Sequence, residues 1–192
     1  HRNDEYGGTQ RKRTRFALEL GRSIREAVGH DFAVGIRLSA DEFTPGGLTL
    51  KETTRIAQWL EESGDLDFLN ITHSNTDPLS FAMQQADMSW PQAPFVHLPN
   101  EIKNATRGIS VFAVCRIIDP HVAENIIATG KADMVCMTRA HIADPEIGRK
   151  LMEGRPYDIR QCIGSTEGCS GRSHRGKPIG CVTNPEAGRE YE

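Results

Sequence analysis

The chain has 192 residues, of which 38% are hydrophobic, so it is long enough to bury one sizeable core. Its 23 basic and 26 acidic residues give a formal net charge of -3 with no basic stripe, which argues against nucleic acid as a partner. No apolar run approaches the ~20 residues that span a bilayer, and the charged stretch His1–Tyr6 is unlike a secretory signal. We therefore expect a cytoplasmic protein that binds a small molecule rather than a membrane.

Helical stripes and short apolar runs alternate along the chain. The first two predicted helices carry the apolar stripes Ala17, Leu20, Ile24, Ala27 and Val28, then Leu50, Thr53, Ala57 and Leu60. The predicted strands are Phe32–Leu38, Leu66–Ile71, Val111–Val114 and Asp133–Met137. Further helices are predicted at Glu101–Thr106 and after Pro120 and Pro145.

This order of elements indicates an α/β fold. Apolar strands that alternate with amphipathic helices are typical of a parallel sheet with helical cover. Four strand–helix units fit either an open sheet or half of an eightfold barrel. A closed barrel needs eight strands and typically ~250 residues, more than this chain supplies. The chain also begins without Met, so we expect a piece of a larger protein.

The same local pattern occurs twice near the last two strands. One strand ends in Cys115 and Arg116 and leads into Asp119–Pro120; the next ends in Thr138 and Arg139 and leads into Asp144–Pro145. Asp is a favoured N-cap and Pro suits the first helical position, so each pair predicts a helix start.

The two arginines predict an anion site. Adjacent parallel strands would place Arg116 and Arg139 on one rim, where guanidinium groups and free backbone N–H groups bind phosphate well. The alternative is that each arginine pairs with a nearby carboxylate and only braces the rim.

The long segment Thr72–Pro99 is polar, aromatic and rich in proline, which predicts an irregular loop at a strand end. His73 is its one titratable side chain placed to meet a substrate; the alternative is a surface histidine without a role. Trp90, Phe81 and Phe95 could form an aromatic cage for an alkylammonium group, or could simply cover the mouth of the sheet.

Five cysteines are present. Cys115 and Cys136 lie in apolar runs and are interpreted as small core hydrophobes. Cys162, Cys169 and Cys181 lie in a glycine-rich tail, where thiolates can surround an iron–sulfur cluster. The alternative is three ordinary reduced thiols. No G-x-G-x-x-G stretch follows a strand, so a Rossmann dinucleotide site is not supported.

Several motifs occur in a recognisable order. They are Asp4–Gly8 (DEYGG), Gly35–Ser39 (GIRLS), Arg116–Pro120 (RIIDP), Arg139–Pro145 (RAHIADP) and Asn184–Glu190 (NPEAGRE). Together they resemble the old yellow enzyme family of NADH:flavin oxidoreductases. With the cysteine tail, they resemble its iron–sulfur branch, which includes 2,4-dienoyl-CoA reductase and trimethylamine dehydrogenase.

The resemblance implies the second half, strands five to eight, of a FMN-binding TIM (β/α)8 barrel with a C-terminal cysteine-containing tail. Residues 1–158 would form the half-barrel, and residues 159–192 the iron–sulfur segment, which leads to a missing C-terminal dinucleotide domain. Arg37 would lie at the pyrimidine edge of the flavin, and Arg116, Thr138 and Arg139 would hold the FMN phosphate. The catalytic acid–base residues would lie in the missing N-terminal half.

The resemblance also implies cofactors and a reaction. FMN and an iron–sulfur cluster, 4Fe-4S or incomplete, would pass hydride and electrons to or from an enoyl thioester or an N-methylated amine. NAD(P)H would act through the missing domain, and a homo-oligomer is possible. The isolated chain is expected to be inactive, and the competing hypothesis is a non-catalytic half-barrel that binds a phosphate ligand or a partner.

Two residues depart from the family pattern. Ser165 stands where the family has the second of four cluster cysteines, and serine is a hard, poor ligand for iron beside thiolate. Either a cluster forms with an unusual or missing fourth ligand besides Cys162, Cys169 and Cys181, or the site has decayed. Cys115 stands where the family often has glycine or a small polar residue, so it could crowd the phosphate.

Overall fold

The computed structural model describes residues 2–191, apart from the side chain at position 79. Its centre is a sheet of four parallel strands in the order β1-β2-β3-β4. The strands are β1 (Gly35–Ser39), β2 (Phe68–Thr72), β3 (Ser110–Val114) and β4 (Met134–Cys136). The predicted parallel sheet with helical cover is therefore confirmed.

Eight α-helices are found in the described part of the chain. They are α1 (Gln10–Val28), α2 (Leu50–Ser63), α3 (Pro78–Gln84), α4 (His97–Ala105), α5 (Pro120–Ala128), α6 (Thr138–Ala143), α7 (Ile147–Met152) and α8 (Ser170–Ser173). A 3-10 turn, Pro156–Asp158, follows α7.

The sheet has a helix-covered face and an open face. Side chains alternate between the faces of a strand, and Leu69, Ile71 and Val111 lie buried beneath the helices. The largest core cluster adds Leu60 of α2 and Ile102 of α4 to this layer. The opposite face carries one level of register-matched residues: Arg37, Asn70, Phe112 and Met134.

Side chains cap the starts of α2 and α5, and the sequence predicts the cap at Asp119. Thr49 and Glu52 form a reciprocal capping box at α2. Asp119 accepts a hydrogen bond from the His121 N–H at 2.8 Å, and Pro120 occupies the first position of α5, as predicted.

The predicted helix after Asp144–Pro145 is present, and Asp144 Oδ1 accepts from the Glu146 N–H at 3.0 Å as a capping side chain does, but the helix begins later than predicted. An additional helix, α6, begins directly at Thr138, and α7 begins only at Ile147. The buried Asp144 carboxylate also accepts hydrogen bonds from Lys150 Nζ at 2.6 Å and the Arg160 N–H at 2.8 Å. Burial alone would raise the pKa of Asp144. The hydrogen bonds from Lys150 and Arg160 together have a larger, opposite effect, so the pKa is lowered overall.

The apolar stripe of α1 is not buried as predicted. Leu20, Ile24 and Val28 are 40% exposed or more, whereas Gly21 and Arg25 are buried. Gly21 lies beside Leu66, and the Arg25 guanidinium donates to backbone carbonyls and pairs with Asp67. The strand that follows α1, β1, is an edge strand of the sheet formed by the described residues.

The segment 72–99 is less irregular than predicted. It contains α3 and the first turn of α4. Pro78 begins α3, where a missing N–H costs nothing, and the buried Ser80 hydroxyl bonds Asn75 Oδ1 at 2.7 Å to close the turn before it. Such short helices carry too few residues for an apolar period to be visible in the sequence.

Candidate functional site

The carboxyl ends of the four strands surround a small cleft of about 100 Å³. All four residues predicted to hold the cofactor line it: Arg37, Arg116, Thr138 and Arg139. Larger surface clefts of about 640 and 780 Å³ lie elsewhere, but neither contains any of these residues. The cleft at the strand ends is therefore the candidate site, because ligands of α/β sheets bind there.

Arg116 has an incomplete set of hydrogen bonds. Its Nε donates to the Trp90 carbonyl oxygen at 2.8 Å, but its Nη1 is buried and has no partner within residues 2–191. Gly164 lies directly against this nitrogen, since a Cβ at that position would overlap it. A buried guanidinium N–H without an acceptor is costly, so it marks a place where an acceptor is expected.

Arg139 and Arg37 are held by neutral partners. Arg139 Nη1 donates to the Ala86 carbonyl at 2.9 Å. Arg37 donates to Asn70 Oδ1 at 3.3 Å and to Thr72 Oγ1 at 3.2 Å. These neutral contacts leave the positive charge of each guanidinium uncompensated by a direct ion pair.

The bracing alternative, in which each arginine pairs with a carboxylate, is not supported. Across residues 2–191, none of the three cleft arginines forms an ion pair with an Asp or Glu. Asp87 is near enough for the charges of Arg116 and Arg139 to lower its pKa slightly, although hydrogen bonds from Ser89 are the main cause. The cleft thus carries a net positive charge.

The backbone beside Arg116 is strained. Cys115 has φ +90° and Arg116 has φ +50°, so two consecutive non-glycine residues lie in the left-handed region. Strain of this kind concentrates at functional sites. The Cys115 side chain is 8% exposed, and burial raises the pKa of its thiol. The structure therefore places it as predicted for a core hydrophobe.

Two polar residues of the cleft and one residue that contacts it were missed by sequence reasoning. Thr72 and Cys136 line the cleft, and Asn70 donates through Nδ2 to Cys136 Sγ at 3.3 Å. Cys136 is half-buried and faces this polar group, so the prediction that it is only a core hydrophobe is wrong. Strand register would have revealed them, because Thr72 and Asn70 lie opposite Ser39 and Arg37.

The prediction that His73 lies at the surface or meets a substrate is wrong. Its side chain is 1% exposed, its ring stacks on Phe95 at 3.9 Å between centroids, and Nε2 donates to the Met83 carbonyl at 2.8 Å. Burial lowers the pKa of His73, which favours the neutral ring.

The three aromatic residues do not form a common cage. Phe95 is buried in the core against Trp90, at 5.4 Å between centroids. Phe81 contacts His174 of the tail instead, at 5.3 Å. The structure therefore does not support the aromatic cage.

The tail brings its cysteines together beside the cleft. Cys162, Ser165, Cys169 and Cys181 line one cavity of about 20 Å³, and Arg139 lines it too. Gly168 allows this approach, since its carbonyl accepts from the Gly180 N–H at 2.8 Å and a Cβ would come within 3.1 Å of Cys181 Cα. The cysteine cavity and the arginine cleft are therefore neighbours.

The cavity is small for a cofactor. Among residues 2–191, no three His, Cys, Asp or Glu side chains form a group that could hold a single metal ion. A cluster differs in that each thiolate binds a separate iron, so its ligands are spread around a larger body. Cysteines are the ligands that clusters use, but the cavity of about 20 Å³ is too small to contain one.

Hydrogen bonds hold the end of this segment. Burial alone would raise the pKa of Cys181. Hydrogen bonds with the Thr183 hydroxyl at 3.3 Å and with backbone N–H groups have a larger, opposite effect, so the pKa is lowered overall. The buried Asn184 donates to the Ile142 carbonyl at 2.8 Å and accepts from Arg160 at 2.8 Å. These contacts fix the tail against α6.

Four parallel strand–helix units with a polar cleft at their carboxyl ends define a protein of the βα-barrel class. Within that class, the chain belongs to the NADH:flavin oxidoreductase / NADH oxidase family, which residues 1–158 match. The predicted family and the predicted fold, the second half of a TIM barrel, are confirmed.

Similar proteins are longer than this chain. The N,N-dimethylglycine/sarcosine dehydrogenase of Chromohalobacter salexigens is 38% identical over 191 residues, 99% of this chain and 27% of that protein. The NADH oxidase of Thermoanaerobacter brockii is 42% identical over 190 residues, 98% of this chain and 29% of that protein. The chain thus spans less than a third of these relatives.

Solved structures of longer proteins also match this chain over almost its whole length. A 2-naphthoyl-CoA reductase in complex with 2-naphthoyl-CoA matches with a TM-score of 0.90 and 30% identity, over 100% of this chain and 28% of that one. The histamine dehydrogenase from Rhizobium sp. 4-9 matches with a TM-score of 0.85 and 28% identity, over 99% of this chain and 27% of that one.

Within residues 2–191, no helix is long and apolar enough to cross a membrane.

Proposed function

We propose that this chain is the half-barrel of a FMN-dependent oxidoreductase that holds the FMN phosphate. Arg116, Thr138 and Arg139 are the phosphate ligands in this proposal. The observation that carries it is that Arg116, which lines a cleft without a carboxylate, has a buried Nη1 with no hydrogen-bond partner. A phosphate oxygen supplies the missing acceptor, and charge-assisted bonds of this kind are among the strong ones.

Arg37 has a different role in the proposal. It lies on β1, the strand farthest from β4, and its guanidinium is exposed on the open face. A cation that stays protonated at this end of the cleft would stabilise negative charge on the pyrimidine side of the flavin ring. FMN when bound supplies the hydride chemistry; these side chains orient it and balance its charge.

The cysteine tail would hold an iron–sulfur cluster through Cys162, Cys169 and Cys181. Their common cavity beside Arg139 supports this assignment. Arg139 lines both the cleft and this cavity, so the two proposed sites are neighbours. In this proposal residues 1–158 form the half-barrel and residues 159–192 the cluster segment.

The substrate class stays open between an enoyl thioester and an N-methylated amine. The names of similar proteins include an N-methylated amine substrate, in the dimethylglycine/sarcosine dehydrogenase, and an aromatic thioester substrate, in the 2-naphthoyl-CoA reductase. Substrate acid–base residues and NAD(P)H binding would come from parts of the protein outside this chain. We further propose a cytoplasmic location and a possible homo-oligomer.

Arg139→Ala in the complete polypeptide that carries this chain tests the phosphate assignment. Removing one charge-assisted bond, about 1.5–3 kcal/mol, should raise the FMN dissociation constant by about tenfold or more. Flavin fluorescence titration of the apoprotein measures it. Arg149→Ala, an exposed arginine on α7, is the matched control and should bind FMN normally.

Equal FMN affinity in Arg139→Ala and Arg149→Ala would contradict the assignment. A complete wild-type protein that purifies colourless and takes up no FMN, yet binds inorganic phosphate in this cleft, would favour the non-catalytic half-barrel instead.

A further inference from the structure

Asn70 joins two residues of the cleft from the middle of the sheet. It is a half-buried residue of β2, in register with Arg37 of β1. Its Oδ1 accepts from Arg37 Nη1 at 3.3 Å, and its Nδ2 donates to Cys136 Sγ at 3.3 Å. Arg37 and Cys136 both line the cleft, and their strands lie at opposite edges of the sheet. One side-chain amide therefore connects the two sides of the site.

The chemistry of the two partners fixes the orientation of this amide. A guanidinium group only donates hydrogen bonds, so the carbonyl oxygen of Asn70 has to face Arg37. The amino group then faces Cys136, whose sulfur is a weak acceptor. Turning the amide over would set one N–H group against another and lose the bond to Arg37. Cys136 thus anchors Asn70, and Asn70 in turn anchors Arg37.

Asn70 holds the Arg37 guanidinium without neutralising it. A carboxylate at position 70 would have nearly the same shape, but it would form a charge-assisted ion pair with Arg37. The second partner of Arg37, the Thr72 hydroxyl at 3.2 Å, is uncharged as well. Both contacts direct the guanidinium and leave its charge for a ligand. Because Arg37 is exposed on the open face, a group that binds beside it is not confined within the cleft of about 100 Å³.

We propose that Asn70 is a positioning residue that presents Arg37 as an unpaired cation to the flavin ring. This inference rests on the proposed function, in which Arg37 faces the pyrimidine side of FMN. Two-electron reduction of FMN with uptake of one proton gives a ring that carries one negative charge. An unpaired cation beside the ring stabilises this reduced form more than the neutral oxidised form. Asn70 therefore helps to set how strongly the protein prefers reduced FMN.

The direct test replaces Asn70 by its charged isostere. Asn70→Asp in the complete polypeptide keeps the size of the side chain and pairs a carboxylate with Arg37. The matched control is Asn104→Asp, which makes the same charge change at an exposed position of α4 outside the cleft. Each protein is titrated with dithionite beside a reference dye, which gives the midpoint potential of bound FMN. Flavin fluorescence titration of the apoproteins gives the affinity for oxidised FMN.

Asn70→Asp should lower the affinity for reduced FMN, relative to oxidised FMN, by about tenfold compared with the wild type. For a two-electron couple this ratio corresponds to a midpoint potential that is lower by about 30 mV. Asn104→Asp should keep the potential of the wild type. A purely structural role of Asn70 would weaken both affinities equally and leave the potential unchanged.

The anchor at Cys136 supplies a second pair of variants. Cys136→Ala removes the acceptor that fixes the Asn70 amide, whereas Cys136→Ser keeps an acceptor at the same place. The alanine variant should lower the same affinity ratio by about threefold, because Arg37 is then held less firmly. The serine variant should restore the potential of the wild type. This pair decides the question if Asn70→Asp does not fold.

Equal midpoint potentials in the wild type, Asn70→Asp and Cys136→Ala, with FMN bound in each, would overturn the role of Asn70 and leave the FMN site in place. Equal potentials in the alanine and serine variants of Cys136 would do the same if Asn70→Asp does not fold. A complete wild-type protein that binds no FMN would overturn the proposed function and this inference together.

Discussion

The two ends of the sheet use their charged side chains in opposite ways. At the amino ends of the strands, the Glu61 carboxylate accepts from the backbone N–H groups of Arg107, Gly108 and Ile109 at 2.7–3.0 Å. Asp67 and Asp133 bond the N–H groups of Val34 and Val111 there. Each of these carboxylates closes a loop against a strand.

At the carboxyl ends the cations are left incompletely satisfied. Arg116 has a buried nitrogen without a partner, and it sits on a backbone with positive φ. In barrels of this kind the amino-terminal face serves stability and the carboxyl-terminal face serves ligand binding. The carboxylates at the amino ends of the strands therefore stabilise the fold, whereas the arginines at the carboxyl ends are available to bind a ligand.

Gly164→Ala is expected to have the largest effect, because it acts on the unsatisfied end. A Cβ there would overlap Arg116 Nη1, and the residue has φ +73°. Displacing that guanidinium should weaken FMN binding by about 100-fold, roughly 2.7 kcal/mol. Flavin titration of the complete protein measures the change.

Gly176→Ala is the matched control for Gly164→Ala. It has a similar φ of +65°, but nothing lies within 4 Å of its added Cβ. It therefore shares the backbone strain without the overlap. Equal flavin affinity in both variants would show that Gly164 does not place Arg116 against the ligand, and the contrast between the two ends would lose its main support.

Glu61→Gln acts on the satisfied end and should have an intermediate effect. The carboxylate accepts hydrogen bonds from three backbone N–H groups. Burial alone would raise the pKa of Glu61, but these bonds have a larger, opposite effect, so the pKa is lowered overall. Losing the charge should lower the free energy of local unfolding by about 2 kcal/mol at neutral pH. Hydrogen exchange of residues 107–109 in the complete protein measures it, with flavin affinity unchanged.

The pH dependence of the same variant follows from the downward pKa shift. Stability from Glu61 is fully present above its unfolded pKa of about 4.3 and is lost as pH falls through the lower folded pKa. The wild type should thus lose more protection at residues 107–109 than Glu61→Gln does on acidification. The control Glu62→Gln changes a neighbouring exposed glutamate, and it should follow the wild type. Parallel pH curves for wild type and Glu61→Gln would contradict this role.

The sequence predicted the sheet, its order and the gathering of the arginines, because strand ends of a parallel sheet must share one edge. It did not predict the neutral partners of Arg37 or the burial of His73. Those depend on strand register and on how segment 72–99 folds back, which involve contacts far apart in sequence. The exposed stripe on α1 was mistaken for a core face, since amphipathicity does not say which layer covers a helix.

Substitutions of Cys115 are expected to have the smallest effect, and they test whether the backbone at this residue is strained. Its φ of +90° suits glycine, and left-handed conformations cost other residues roughly 1–2 kcal/mol. Both Cys115→Gly and Cys115→Ala remove the buried thiol, but only the glycine variant relieves the backbone. The thermal midpoint of the complete protein should therefore be higher for Cys115→Gly, by the equivalent of about 1 kcal/mol. If the alanine variant is equally stable, the backbone at Cys115 is not strained, and the unpartnered nitrogen of Arg116 alone distinguishes the ligand end of the sheet.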